Sequence, residues 1–501
     1  MRLFSIISLL FLGYCLSAQS LYDRTLASLP EFYEYLSLPN DAKIDGQLEE
    51  NLVWLEGAFQ RRGFTIRRLE NDGTDLLLAE MPALKRNAPT VLFYGHTDGQ
   101  SVDPAKWVLG PPYKPTLGEL ENRADGTIDY RKSESLPEGA ALLQSRIFAR
   151  AASDAKAPIM MFLVAWDHFV ENRGKLPYHV KFIIDSEEEI SSPHLPAAVE
   201  QYRSELAADH LIILDGPVHT NNQPTLVYGA RGIATARLTV YGPKLPLHSG
   251  HYGNYAPNPA LRLAQLLAGT KDDRGRVTIP GWNDGIELDE TTKAILAAVP
   301  VDPNTLHAKL GIAAPDAVGA NLQEALQYPS LNVRGLNSGW VGKAARTIVP
   351  ANAVANLDFR LVKESDGQRL IRLFENYLTQ QGYYLVPAGR EPTDAERAQY
   401  PKLASYSGKT YYGAFRTPMD GETGKWLTKA LSKTFGAPPV QIRTMGGSVP
   451  IAPFVNTLEV PAVILPLVNP DNNQHSPNEN LLLERYFKGV ECLLGVLGEK
   501  I

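Results

Sequence analysis

Four short apolar runs, each broken off at an acid or a histidine, constrain this chain most. Residues 90–95 run straight into His96. Residues 179–184 stop before the acidic run 185–189. Residues 211–214 end at Asp215, and residues 462–466 lead into a loop that holds His475. Runs of this kind, without strict alternation, are what strands covered on both faces look like. Stretches of helical character lie between them, at 157–170, 195–206 and 482–497. Strands alternating with helices predict an α/β fold, a mixed and mostly parallel sheet sandwiched by helices. In such sheets ligands bind beyond the carboxyl ends of the strands. The polar residues that end the runs fall there.

A chain of 501 residues is too long for one ordinary core, so two or three domains are expected. The middle of the chain differs in pattern. Residues 236–241 alternate as a half-exposed strand does, and a helix is expected at 259–267. Residues 272–320 are rich in Pro, Gly and Asp and show no clear period. Strand-like stretches follow at 330–334 and 354–361, a helix at 367–380 and a strand at 383–387. This predicts a smaller α+β domain with one antiparallel sheet, residues 231–413, inserted into a first domain made of 19–230 and 414–501. The beginning of that first domain, residues 23–62, reads as helical.

The first residues read as a leader rather than as part of the fold. Arg2 gives a positive start, residues 3–16 are apolar, and Leu16-Ser17-Ala18 ends in small residues. That is the layout of a secretory signal peptide, residues 1–18, and implies export to a periplasm or the outside. The apolar run is too short for a comfortable membrane span, so no stable membrane insertion is expected. Cys15 leaves with the leader, and Cys492 alone cannot form an intrachain disulfide. The net charge of −6 gives no electrostatic reason to expect a nucleic-acid partner.

Histidine, aspartate and glutamate supply the lone pairs a hard or borderline cation needs. His96 sits in Tyr94-Gly-His-Thr-Asp98, where the aspartate two residues on can reach the other ring nitrogen and fix its tautomer. Asp154 lies in Ser153-Asp-Ala-Lys156, at a loop-to-helix junction that a capping aspartate would also suit. Glu187-Glu188-Glu189 could be a solvated acidic turn, Asp215 a turn residue and His475 an ordinary loop histidine. Three carboxylates crowded at one strand end are easier to understand if a cation neutralises them. No H-E-x-x-H, G-x-S-x-G or phosphate-loop motif occurs, which counts against those three catalytic classes.

As an ordered set the residues go further. The series Gly95-His-x-Asp98, Ser153-Asp-x-Lys156, Glu188-Glu189, Asp215, Leu247-His-Ser-Gly250 and His475-Ser-x-Asn-Glu479 resembles the M20 metallopeptidases, and within them the carnosinase-like dipeptidase and carboxypeptidase branch. The resemblance runs from about residue 52 to the C-terminus. It implies two divalent ions, zinc first with manganese or cobalt also suited, bound by His96, Asp154, Glu189, Asp215 and His475. Asp154 would bridge them. A water or hydroxide between the ions would attack the amide, Glu188 would be the general base, and Asp98 would orient His96. His248 would come from the smaller domain and bind the developing oxyanion, often in the site of a partner subunit, which implies a homodimer. Arg360, helped by Thr347 and Ser448, would hold a substrate carboxylate.

The implied reaction is hydrolysis of an amide bond in a short peptide or an N-acyl amino acid with a free carboxylate. A deacylase of N-acyl amino acids would use the same site. A non-catalytic binding protein on this scaffold would have lost a ligand or the base, and none is lost. The chain departs from the family pattern at Ala149, Ala151 and Ala157, where glycines are usual, at Ala155 in place of a second aspartate, and at Ile190 before Ser191.

Overall fold

The computed structural model describes residues 21–501 apart from 123–127 and 173. The expected leader, with Cys15, lies outside the described residues. The chain divides into two compact units. One comprises the residues up to Tyr228 with Thr417–Gln441 and Pro453–Ile501, the other Gly229–Arg416 with Ile442–Ala452.

The first unit is organised by a sheet whose strands we number β1 (Thr65–Leu69), β2 (Leu76–Met81), β3 (Thr90–His96), β4 (His179–Asp185), β5 (His210–Ile213), β6 (Thr225–Val227), β7 (Val440–Ile442) and β8 (Ala462–Ile464). Their order in space is β1-β2-β4-β3-β5-β8-β6-β7. The central pairs β4–β3, β3–β5 and β5–β8 are parallel, while β1–β2, β2–β4 and β8–β6 are antiparallel. The runs legible in the sequence are the parallel centre, buried on both faces. β1 and β2 escaped notice. β1 carries Arg67 and Arg68 and buries only Leu69 among its five residues, so it has no apolar run to see.

Helix α1 (Lys156–Glu171) is buried on nearly every side, as a helix apolar all round must be. It packs against α2 (Leu483–Gly498) and against the aromatic side chains of the sheet. Phe162 lies 5.1 Å from Phe93 and 4.8 Å from Phe182 between ring centroids. Three expectations change in detail. The N-terminal helical stretch is interrupted by turns between Leu29–Leu36 and Gln47–Arg61. The helix expected over 195–206 breaks at Tyr202. The stretch without a period, 272–320, contains helices at Glu290–Ala297 and Pro303–Leu310, N-capped by Asp289 and Asp302. Eight residues are too few for a period to show.

The second unit holds a five-stranded sheet in the order Ser330–Asn337, Asn352–Leu361, Gly232–Tyr241, Leu403–Tyr412, Tyr384–Val386. It is antiparallel except for the last pair. Gly232–Tyr241 alternates largely between buried and less buried residues, and its apolar face packs with Phe359, Phe374 and Trp282. Among the described residues no helix is long and apolar enough to cross a membrane.

Candidate metal centre

Parallel pairing brings the strand ends level. His96, the last residue of β3, pairs with Asp185, the last residue of β4. Leu214, just past β5, donates from its amide to the Tyr94 carbonyl at 2.9 Å, which puts Asp215 beside them. His96 is fully buried. Its Nε2 lies 3.1 Å from Asp154 Oδ1 and its Nδ1 3.3 Å from Asp98 Oδ1. Asp98 is also fully buried and accepts the amides of Glu188 at 3.2 Å and Glu189 at 2.8 Å. One carboxylate therefore stands behind the histidine and holds the turn that presents both glutamates.

Asp154 does not cap a helix. The N-cap of α1 is Ala155, without a side-chain bond, and the Asp154 carboxylate faces two histidines instead. Its Oδ2 lies 3.0 Å from His475 Nε2, which in turn lies 3.2 Å from Glu189 Oε2. Two triads result, His96–Asp154–Asp215 and Asp154–Glu189–His475. The donor atoms of each lie within 4.8 Å of one another, and Asp154 belongs to both. Glu188 belongs to neither.

The charges do not balance without a cation. Five carboxylates (Asp98, Asp154, Glu188, Glu189, Asp215) meet two imidazoles. Burial pushes Glu189 up to about 7 and Asp215 up to about 6, with Asp154 adding to both. Burial also pushes Glu188 well above the usual range, against the pull of His96. Burial opposes ionisation of Asp154 too, but hydrogen bonds from His475 and His96 outweigh it and hold it low. The bond to Asp154 draws His475 up to about 9. Metal-free, the cluster stores protons that a divalent ion would displace. Imidazole nitrogens and carboxylate oxygens around a shared carboxylate fit two borderline divalent ions.

The second unit holds the other expected residues in two pairs. Arg360 donates from a terminal nitrogen to Ser448 Oγ at 2.7 Å. Thr347 accepts from the Ser249 amide at 3.0 Å through its carbonyl, next to His248, which is exposed at the end of a two-residue strand. The Gly250 amide donates to His248 Nδ1 at 3.0 Å, so a neutral ring carries its proton on Nε2.

Several partners had no assignment from the sequence. Gln100 donates to Glu189 Oε2 at 2.9 Å. Asp185 accepts from the Glu187 amide, Ser192 Oγ and Tyr94 Oη, bracing the same turn. Arg231 is buried beside Arg360 and donates to the Tyr328 carbonyl at 2.7 Å. Burial, with Arg360 adding, pushes its pKa down to about 10. Position in the sequence offered a signal for Gln100 and Asp185, which flank Asp98 and the glutamates. Arg231 had none. The substituted alanines 149, 151, 155 and 157 are all fully buried, and Ala151 holds a left-handed φ of 60°, the conformation that favours glycine.

Residues 92–499 match the model of a family described as Peptidase family M20/M25/M40. Over 410 residues the sequence is 26% identical to a Cys-Gly metallodipeptidase of Schizosaccharomyces pombe, covering 80% of this chain and 78% of that protein. It is 25% identical to the human Beta-Ala-His dipeptidase over 410 residues, covering 80% and 73%. The structure of an M20 family metallo-carboxypeptidase from Sulfolobus solfataricus is similar with a TM-score of 0.74 at 26% identity, covering 94% of this chain and 98% of that one. The strand-end donors, the two triads and a match spanning residues 92–499 lead to one conclusion: the chain belongs to peptidase family M20/M25/M40.

Proposed function

We propose that the chain hydrolyses the amide bond of short peptides, as a dipeptidase or carboxypeptidase, with two divalent ions. His96, Asp154 and Asp215 would hold one, and Asp154, Glu189 and His475 the other. The observation that carries this reading is the sharing of Asp154 between two triads, with Glu188 beside them and outside both. Ions so held would polarise the scissile carbonyl and lower the pKa of the attacking water.

The chain's own residues would do the rest. Glu188, pushed up by burial, accepts the water's proton on its carboxylate and passes it to the leaving nitrogen. Help of this kind is worth roughly 10²–10⁴ in rate. Asp98 fixes His96 and keeps the Glu188–Glu189 turn in place. His248, with its proton on Nε2, donates to the oxygen that becomes negative as the carbonyl turns tetrahedral. Arg360 grips the substrate carboxylate with its planar fork, steadied by Ser448, and Thr347 supports the His248 strand. Asp358 only partly offsets the charge of Arg231, and among the described residues neither Arg231 nor Arg360 forms an ion pair with an acid, which favours a ligand that brings its own carboxylate. The dipeptidase relatives support a short-peptide substrate.

Zinc is the ion we assign, a homodimer the assembly, with His248 serving a second copy's site, and an exported compartment the location. Exposed Leu336, Trp340 and Val341 on the second unit support association between copies. The test is a dipeptide library against metal-loaded protein, beside acetylated and succinylated amino acids. Dipeptide turnover that falls ~10²–10⁴-fold in Glu188→Gln, with both ions still bound, is the expected result. No dipeptide turnover together with clear deacylation would refute it, as would a Glu188→Gln variant of full activity.

A further inference from the structure

Glu479 closes the motif that begins with His475, yet it touches neither triad as a donor. It is fully buried, and every contact of its carboxylate is with a donor. Oε1 accepts the amides of Ser153 and Asp154, both at 2.9 Å. Oε2 accepts the amide of Ala151 at 3.0 Å and a terminal nitrogen of Arg150 at 2.5 Å. Three backbone amides of the loop that ends in Asp154 are thus tied to one side chain four residues beyond His475. The peptide of Glu479 joins in: its carbonyl accepts the Ala149 amide at 3.2 Å. Next to it, the carbonyl of Asn480 accepts Ser153 Oγ at 2.8 Å. Below these contacts Asn480–Leu482 pairs with Arg146–Phe148, which fixes the roots of both loops.

Both loops hold unfavourable backbone. Ala151 sits at φ 60° and His475 at φ 61°, the left-handed region that disfavours a residue with a Cβ. Such conformations persist only where surrounding contacts over-determine them. The Glu479 carboxylate supplies those contacts for the 150–154 loop, and Arg150 offsets part of its charge, while burial and Asp154 push its carboxyl up.

We propose that Glu479 is a positioning residue that sets Asp154 and His475 at the separation at which both bind one ion, before any ion arrives. It gathers amides of the loop that carries the shared ligand onto the strand end that follows the histidine loop. This inference rests on the two-ion reading above. Removing partners that orient metal ligands typically costs 10–100-fold in metal affinity, and that is the loss expected here.

The test compares wild type with Glu479→Gln and Glu479→Asp by zinc competition against a chromophoric chelator, with thermal melting of the metal-free proteins alongside. The amide in Glu479→Gln turns a donor toward backbone N–H groups. Glu479→Asp keeps the charge but shortens the reach by one carbon. Both should lose affinity for the ion held by Asp154, Glu189 and His475 about 10–100-fold, Glu479→Asp while still melting as one cooperative transition when metal-free. Hydrogen exchange on metal-free wild type, which needs no variant, should show the amides of Ala151, Ser153 and Asp154 protected. Wild-type zinc affinity in a folded Glu479→Asp, or rapid exchange of those amides, overturns the proposal. Wild-type protein that takes up no ions overturns the two-ion reading and this inference with it.

Discussion

Asp98→Asn offers a test of the metal centre in which the size of the effect follows from two oxygen atoms. Asp98 Oδ1 accepts the Glu188 amide at 3.2 Å and lies 3.3 Å from His96 Nδ1, and Oδ2 accepts the Glu189 amide at 2.8 Å. An asparagine has one acceptor oxygen to offer. Placed at Oδ2, it keeps Glu189 but turns an NH₂ toward the Glu188 amide and the His96 ring. Placed at Oδ1, it keeps those and loses Glu189. Either way at least one buried hydrogen bond to a charged group is lost, worth about 1.5–3 kcal/mol. At ~1.4 kcal/mol per tenfold, zinc affinity should fall about 10- to 100-fold. The residue is fully buried and the substitution isosteric, so no cavity is created. The assay is chelator competition, with dipeptide turnover measured at saturating zinc. An Asp98→Asn protein that binds both ions with wild-type affinity would refute the placement of Asp98 behind the ligands.

Two further outcomes are expected. Arg150→Met leaves the buried Glu479 carboxylate without its cation; breaking such a pair typically costs about 3–5 kcal/mol, read as a lower urea midpoint of the metal-free protein, and a loss below about 1 kcal/mol would contradict it. Zinc binding should release protons at neutral pH, because Glu189 is pushed up to about 7 and His475 up to about 9 in the metal-free site. These ligands regain protons as pH falls, so affinity rises with pH and is lost on acidification. Calorimetry in buffers of different ionisation enthalpy reads the release directly, and identical heats would count against it.

What was legible in the sequence was the part of the site built on strand ends. His96, Glu188, Glu189 and Asp215 follow apolar runs of the length and pattern of buried strands, and parallel pairing does the rest. What was not legible is held together by polar contacts between distant segments. The Glu479 carboxylate reaches an amide 326 positions away, and nothing local to either residue announces the partner. Arg231 reads as one arginine among many until its burial beside Arg360 is known. Asp154 shows the limit from the other side: its place before a helix suggests a cap, the family resemblance alone names it a shared ligand, and the structure turns its carboxylate to two histidines. Edge strands such as β1, with charged residues outward, carry too little apolar pattern to be read at all.

The position of β8 also bears on how the protein comes into being. Residues 462–464 lie between β5 and β6 in the sheet, although the chain has passed through both of those strands by residue 227. Chains emerge from the ribosome N-terminal end first. Through most of synthesis the flank of β5 that will receive β8 stands with its backbone unpaired, an invitation to pair with another nascent chain. The His475 corner arrives later still. Truncated products therefore carry two defects at once, a sticky open flank and an incomplete metal centre, and production of this protein should be unusually sensitive to premature termination and to the supply of chaperones that shield exposed strands.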